Sequence, residues 1–448
     1  MDNIIIASID DVIDICHINS GLNVSGSPDF KYIRRDCIAD AVDKGLCFVE
    51  KNNKKVVSAM VLEDGFMDSD GKIQYNVGSL IVDEKFRSRG IGIRMMELAK
   101  LLAFEENKDL CINTPLQLNN LGFYEHLGFQ SLGIGSSKEN PYRALRFNTR
   151  PIPFFPEMKR IDIGDRLQYI DLLDQLPVVP SDLTFYNMFA FDCEGEKYYL
   201  SMLNDNLIVV TEKEGNDFLH PIIGTNRIKD TIREVVSWYN DNGIKLGLVL
   251  TKDQAAKLCE GCEAHIEPMR DEFEYIYDTK NLVNMINADD MHRKNLKRYL
   301  NMFHPSYMPL TNAIRDQVLD FNENWISQKF GDAPPMNVTT ESRAIKKALN
   351  NLNTLDLTGG CIYSNDHLAG FTLGEKFNGT GYLFIEKAEK ERGSYQALIH
   401  LFGINELLDC VTTINKEQDL GDLGLRQNKM SYGPKGFVEK YSVSDFVY

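Results

Sequence analysis

The sequence predicts an α+β protein, an α/β sandwich built as about three tandem units. Three observations carry this. Helical and apolar strand-like stretches alternate along 448 residues, a length that suits about three domains of ~150 residues. The composition is globular, 43% hydrophobic and 25% charged, with glycine and proline dispersed. A strand, turn and helix near residue 80 return near residue 383.

The elements follow in order. Spacing of apolar residues predicts helices near 10–20 and 32–44, then strands at 46–50, 55–63 and 74–82. A long amphipathic helix is expected over 90–107, a strand at 110–113 and a short helix ending near His126. Pro151, Pro153 and Pro156 stiffen 150–156 into an expected linker, because each fixes its own φ and biases its predecessor to extended backbone. Beyond it, helices are expected near 167–176, 228–241, 296–303, 314–329, 342–352, 395–408 and 420–429. The expected domains are 1–149, 157–290 and 291–448.

Charge narrows the function. The net charge is −16. Residues 1–150 hold 18 basic and 21 acidic side chains, and 151–448 hold 31 and 44, so any nucleic-acid contact must use a local patch. The nine scattered cysteines suit reduced thiols, and no apolar run approaches the ~18 residues of a membrane span. The opening Ile4-Ile5-Ile6, with no basic residue before it, does not read as a secretion signal. A cytoplasmic protein is expected.

The most informative stretch is Leu80-Ile81-Val82, followed by Arg87-Ser88-Arg89-Gly90-Ile91-Gly92-Ile93-Arg94. A strand runs into a turn that starts a helix, whose first N–H groups lack partners and carry the positive end of the dipole. Glycines there let a phosphate reach the backbone, and Arg87, Arg89 and Arg94 add positive charge. A glycine turn that merely starts a helix is the alternative. The spacing Arg-x-x-Gly-x-Gly resembles the acetyl-coenzyme A loop of the GNAT acetyltransferases. Downstream, Phe123-Tyr124-Glu125-His126-Leu127-Gly128-Phe129 resembles the same family's closing signature.

The resemblance implies a GNAT fold for the first domain, acetyl-CoA as cofactor, and Tyr124 as the acid that protonates the leaving thiolate. It also implies that the backbone of Leu80, Ile81 and Val82 pairs with the pantetheine arm. Gln117 and Asn120 depart from the family's usual Asn and Ala. No carboxylate precedes Arg87 on its strand, which leaves Glu63 and Asp64 as candidate bases. The acceptor is an amine, expected to be selected by the loop 21–35.

The repeat lies at one offset: Gly78, Leu80, Arg87, Arg89 and Gly90 correspond to Gly381, Leu383, Lys390, Arg392 and Gly393, each 303 positions later. Gly92 corresponds to Tyr395, which is expected to obstruct a pyrophosphate. After the linker, Ser181–Phe189, His292–Phe303, Glu386-Lys387-Ala388 and Ile414–Pro434 resemble the C-terminal domain of phosphatidylglycerol lysyltransferase and its soluble homologues, the DUF2156 group. That resemblance implies two further GNAT-like halves and aminoacyl-tRNA as a possible donor.

A second candidate site gathers Glu386, Lys387, Arg392, Asn415, Glu417, Asp419, Arg426 and Lys429. Glu386 with Lys387 and Asp419 with Arg426 are expected pairs, and structural and functional roles stand side by side. Arg293, Lys294, Lys297 and Arg298 form a basic run on one helix, either a solvated face or a surface for a phosphate or a tRNA acceptor end. Cys259-x-x-Cys262 lacks a second ligand pair, so no metal is expected.

These features predict a cytoplasmic acyltransferase with an acetyl-CoA-dependent N-acetyltransferase domain. The alternatives are aminoacyl transfer through the C-terminal module, or a non-catalytic C-terminal platform.

Overall fold

The computed structural model describes every residue except 1–3, 21–34, 68–72, 107, 119, 138–139, 150, 194, 261–262, 332, 353–354 and 448. Most of the expected acceptor loop and Cys262 therefore lie outside the described residues. The chain divides into two compact units, Met1–Pro151 and Ile152–Tyr448.

The first unit comprises β1 (Ile4–Ile6), α1 (Val12–Ser20), α2 (Arg35–Asp43), β2 (Cys47–Asn52), β3 (Lys55–Met67) and β4 (Ile73–Val82). It continues through α3 (Ile91–Glu105), β5 (Leu110–Pro115), α4 (Leu121–His126), β6 (Gln130–Ser137) and β7 (Asn140–Phe147). Its sheet runs β1-β2-β3-β4-β5-β7-β6. Strand alternation divides the apolar residues between two layers. Met60, Leu62, Tyr75 and Val77 pack against α3 and Tyr124, whereas Val49, Ala59 and Val61 pack against α1 and α2.

The second unit opens with β8 (Lys159–Arg160), α5 (Arg166–Leu173), α6 (Phe185–Phe191), β9 (Glu196–Leu203), β10 (Asn206–Lys213) and β11 (Asn216–Leu219). Next come α7 (Ile228–Asp241), β12 (Leu246–Thr251), α8 (Lys252–Cys259), β13 (Glu263–Pro268), β14 (Glu274–Asp278), α9 (Thr279–Val283) and α10 (Asp290–Phe303). Then follow β15 (Ser306–Pro309), α11 (Arg315–Phe330), α12 (Met336–Asn350), β16 (Leu357–Ser364), β17 (His367–Phe377) and β18 (Thr380–Ala388). The unit ends with α13 (Ser394–Phe402), β19 (Thr413–Asn415), α14 (Leu423–Ser431), β20 (Gly436–Val438) and β21 (Lys440–Val447).

Two more seven-stranded sheets result, β8-β9-β10-β11-β12-β21-β13 and β15-β16-β17-β18-β19-β14-β20. Among the described residues, each of the three sheets has one parallel pair, between its fourth and fifth strands: β4 with β5, β11 with β12, and β18 with β19. One topology is thus used three times.

The sixth place differs. In the first sheet β7 fills it, directly after β6 in sequence. In the others the equivalent strands are exchanged: β21 joins the second sheet and β14 the third. The expected boundary at 290/291 is therefore corrected, because residues on each side of it complete the other half. Alternation marks a segment as a strand without saying which sheet it enters. Buried ions pin the exchange. Lys440 Nζ on β21 lies 2.8 Å from Glu274 Oε1 on β14 and 2.5 Å from Asp182 Oδ2, and both Lys440 and Glu274 are fully buried.

The expected linker is also corrected. Ile152 is buried in the second unit, Met202 N donates to Pro153 O at 2.8 Å, and Phe155 N donates to Met202 O at 2.9 Å. Residues 152–155 extend a sheet edge rather than serving as a free spacer. One apolar core, including Leu200, Leu207, Ile345 and Phe371, joins the second and third sheets.

Candidate functional sites

In the first sheet, β4 pairs with β5 only at Tyr75 and Asn76, while its pairing with β3 continues to Val82. β5 instead continues to Pro115 against β7. The strands fork after Asn76, and Leu80, Ile81 and Val82 lie on the arm beyond the fork. Gly90 then caps α3 in the left-handed conformation, φ 72°, where other residues are strained. A Cβ there would meet only Arg94 Nη1, at 3.6 Å, so the start of the helix is open.

The three arginines are not equivalent. Arg87 and Arg89 are exposed and donate to the carbonyls of Val82 and Lys85, both at 3.2 Å. Arg94 is engaged otherwise: it holds both oxygens of the buried Glu50 at 2.9 Å and donates to Arg89 O. Its charge is already matched, which corrects the expectation that all three add free positive charge.

Tyr124 is buried on the α3 side, edge-on to Phe123 and Phe129. Burial pushes its phenol up to about 12, so it stays protonated at neutral pH. Asn120 precedes α4 and accepts from Thr114 Oγ1 at 2.6 Å. Of the two candidate bases, Asp64 is bound to Lys108 at 2.8 Å, which holds its carboxyl below the usual range. Glu63 instead accepts from Asn76 Nδ2 at 2.6 Å, beside the fork.

The third sheet forks in the same way. β18 and β19 pair from Thr380/Thr413 to Tyr382/Asn415, and β18 continues to Ala388 against β17. Gly393 again caps the next helix with positive φ, 103°. Here, however, α10 lies on it: a Cβ on Gly393 would fall 2.3 Å from Asn295 O. Arg392 is exposed and donates to Asn295 Oδ1 at 2.8 Å, on the same helix α10. The obstruction expected from Tyr395 is therefore chiefly a helix laid over the cradle.

The polar residues separate. A bulge in the β17–β18 pairing is followed by Thr372/Glu386 and Phe371/Lys387 pairs, and adjacent strand residues face opposite sides. Glu386 binds Lys416 at 2.8 Å, whereas Lys387 binds Glu341 and lies 3.9 Å from the centre of the Trp325 ring. The expected Glu386–Lys387 pair does not form. The Asp419–Arg426 pair does, with Nε 2.9 Å from Oδ2 and Nη2 2.7 Å from Oδ1. Burial alone would raise Asp419, but hydrogen bonds from Arg426 and Tyr275 outweigh it and hold the carboxyl well below the usual range.

Asn415, Glu417 and Lys429 do converge. Asn415 donates to Glu274 Oε2 at 2.6 Å and accepts from Glu417 N at 2.9 Å. Glu417 accepts from Asn187 Nδ2 at 3.0 Å. Lys429 donates to the carbonyls of Lys416 and Gln418. Burial pushes Glu417 up and Lys429 down, drawing an acid and a base towards neutrality. The Tyr186 hydroxyl is buried with no hydrogen-bond partner among the described residues, its ring stacked 4.3 Å from Phe384. A cleft of about 510 Å³ reaches Asn415 past Val178, Thr380, Thr413 and Lys435.

The sequence reading missed Glu274, Lys440 and Asp182, which come from three separate stretches of the chain and meet only in the fold. It also missed Tyr432. Tyr124, Gly128 and Phe129 recur as Tyr432, Gly436 and Phe437, 308 positions later, after an insertion that breaks the earlier offset of 303. Tyr432 accepts from Gln396 Nε2 at 3.0 Å and stacks on His292 at 4.0 Å. The four cations of the basic run on α10 are all exposed, but Arg293 is tied to the carbonyls of Met285, Ile286 and Ala288 and to Asp290, which leaves Lys294, Lys297 and Arg298 as the more available ones. Among the described residues no group of histidine, cysteine and acidic side chains could hold a metal.

Forked sheets with an open and a covered helix start define an acyltransferase scaffold used in tandem. The model of the phosphatidylglycerol lysyltransferase C-terminal family matches residues 175–444, and the chain belongs to that family. An acetyltransferase (GNAT) domain model matches residues 43–131, so a GNAT domain stands at the N-terminal end. A conserved protein of unknown function from Bacteroides thetaiotaomicron is similar at 23% identity, covering 64% of this chain and 98% of its own, with a TM-score of 0.59. L-PGS from Bacillus licheniformis aligns at 13% identity over 62% of this chain and 91% of its own, TM-score 0.45. The ribosomal-protein-S18-alanine N-acetyltransferase from Escherichia coli aligns at 14% identity over 32% of this chain and 90% of its own, TM-score 0.27. No curated protein matches. No described helix is long and apolar enough to cross a membrane.

Proposed function

We propose that the first domain is an acetyl-CoA-dependent N-acetyltransferase. The observation that carries this is the fork after Asn76 leading to an uncovered helix start at Gly90. The first N–H groups of α3, with Arg87 and Arg89, would hold a pyrophosphate. The free edge of Leu80, Ile81 and Val82 would hold the pantetheine arm as an added strand. Ser88, Ile91 and Ile93 complete the loop as backbone, and Arg94 braces it from Glu50. When bound, acetyl-CoA supplies an activated acetyl thioester. Tyr124, protonated and buried behind the fork, serves as the acid. Calorimetry should give binding to the wild type and none to Gly92→Trp, whose side chain must also displace Phe123, 3.4 Å from a Cβ at that position. No binding to the wild type would end this reading.

A second activity is supported in the C-terminal module, aminoacyl transfer from tRNA to an amine or hydroxyl acceptor. The observation favouring it is the buried Glu417 and Lys429, drawn towards neutrality, near the unpartnered Tyr186 hydroxyl. Lys294, Lys297 and Arg298 offer the basic surface. Changing all three to Glu should abolish salt-sensitive tRNA binding, read by filter retention at two ionic strengths. Absence of tRNA binding in the wild type would favour a non-catalytic platform.

A further inference from the structure

We propose that the cleft on the third sheet is a binding site for a small apolar carboxylate, with Lys435 as its anion contact. The site is independent of both activities proposed above, because it lies on the paired stretch of β18 and β19, before the fork.

Strand register builds its floor. Tyr382, Asn415, Ile276 and Gly436 pair in turn across β18, β19, β14 and β20, so they share one face of the sheet. Thr380 and Thr413 form the next row on that face. Gly436 is the gap in the floor. A Cβ there would meet nothing within 4 Å, and its φ is not positive, so neither space nor backbone requires glycine at this position. Loop 176–179 forms the opposite wall and is tied down at Tyr382, whose hydroxyl donates to Val179 O at 2.9 Å. Between floor and wall the space is about 510 Å³, within the roughly 300–1,000 Å³ of small-molecule sites.

The lining specifies the ligand. Acidic residues outnumber basic ones over 151–448, yet among the described residues no carboxylate and one cation, Lys435, line the cleft. Asp278, paired with Thr413 on the same face, is turned to cap α9 and accepts from Asn281 N at 2.9 Å. Lys435 Nζ donates to Thr413 Oγ1 at 2.9 Å and has no carboxylate partner among the described residues. The Thr413 O–H, polarised by that ammonium, is left to donate. Two donors side by side, one of them charged, suit the two oxygens of a carboxylate. One lysine matches one negative charge, whereas a phosphate monoester carries about −1.5 to −2.

The rest of the lining is largely apolar. Leu176, Pro177, Val178 and Ile276 offer surface for the ligand's body to bury, and Pro177 and Val178 are exposed. At the inner end Asn415 is already engaged, donating to Glu274 and accepting from Glu417 N. The charged end of the ligand therefore belongs at Lys435.

Calorimetry on the full chain tests this with 4-phenylbutyrate as the probe. Wild type should bind one molecule saturably, and should bind the neutral 4-phenylbutanamide and the cationic 4-phenylbutylammonium at least about 10-fold more weakly. Lys435→Gln should weaken 4-phenylbutyrate on the order of 10-fold, the effect of one charge-assisted hydrogen bond, while Lys257→Gln on α8 changes nothing. Gly436→Phe fills the floor and should abolish binding with the thermal transition retained. Val178→Asp should abolish it as well, since it sets a like charge in the wall at a position 60% exposed, where the fold tolerates it. If Gly436→Phe loses its transition, Val178→Asp decides. No saturable binding of 4-phenylbutyrate by wild type, equal binding of the amide, or wild-type binding by folded Gly436→Phe or by Val178→Asp would overturn the proposal.

Discussion

The first and third sheets fork at equivalent places, yet only one fork leads to an open helix start. At Gly90 there is room for a ligand, whereas at Gly393 the space is taken by the backbone of α10. Both retain a buried tyrosine on the helix side, Tyr124 and Tyr432. The difference teaches that the same strand-turn-helix unit can be left open or closed by a neighbouring helix while its glycine is kept. At the third fork an internal polar network forms, with Glu386 on Lys416 and Tyr432 under Gln396.

The largest expected effect tests what holds the covered fork in place. Lys440→Ala leaves the carboxylates of Glu274 and Asp182 facing each other without their cation, and should cost about 3–5 kcal/mol in urea denaturation. A loss below about 1 kcal/mol would mean that the exchanged strands need no ionic pin.

Next comes the direct comparison of the glycines. Gly90→Ala should lose roughly 1–2 kcal/mol, the cost of a left-handed alanine. Gly393→Ala adds a backbone clash at Asn295 O and should lose more than Gly90→Ala in the same denaturation series. Equal losses would indicate that α10 does not press on the third cradle.

The smallest effect concerns pH. The folded-state pKa of Glu417 is raised from 4.5, so its protonated form is the one that folding favours. Its stabilising contribution is complete below 4.5 and falls as pH rises through the raised value. Glu417→Gln should remove that fall, flattening the dependence of Tm on pH above 4.5. An unchanged slope would place the titration elsewhere.

Much of this was legible in the sequence for physical reasons. The helix over 228–241 and the loop at 87–94 are periodic and punctuated by glycine, so short-range pattern defines them. The Asp419–Arg426 pair is local, two positions seven apart on one turn of chain. What stayed hidden depends on long-range placement. The exchange of β14 and β21 joins residues far apart in sequence, and no local signal distinguishes the two sheets. The pairing of Lys387 with Glu341 rather than Glu386 follows from strand alternation and a bulge, which a contiguous run of charges conceals. Tyr432 was hidden by a change of offset.

The most direct test of the central claim is the stoichiometry of acetyl-CoA binding to the full chain. Calorimetry should give one site per chain, lost on changing the exposed Arg87 and Arg89 together to Glu and untouched by Arg392→Glu. Two sites, none, or a site that survives Arg87→Glu with Arg89→Glu and disappears with Arg392→Glu would contradict the account.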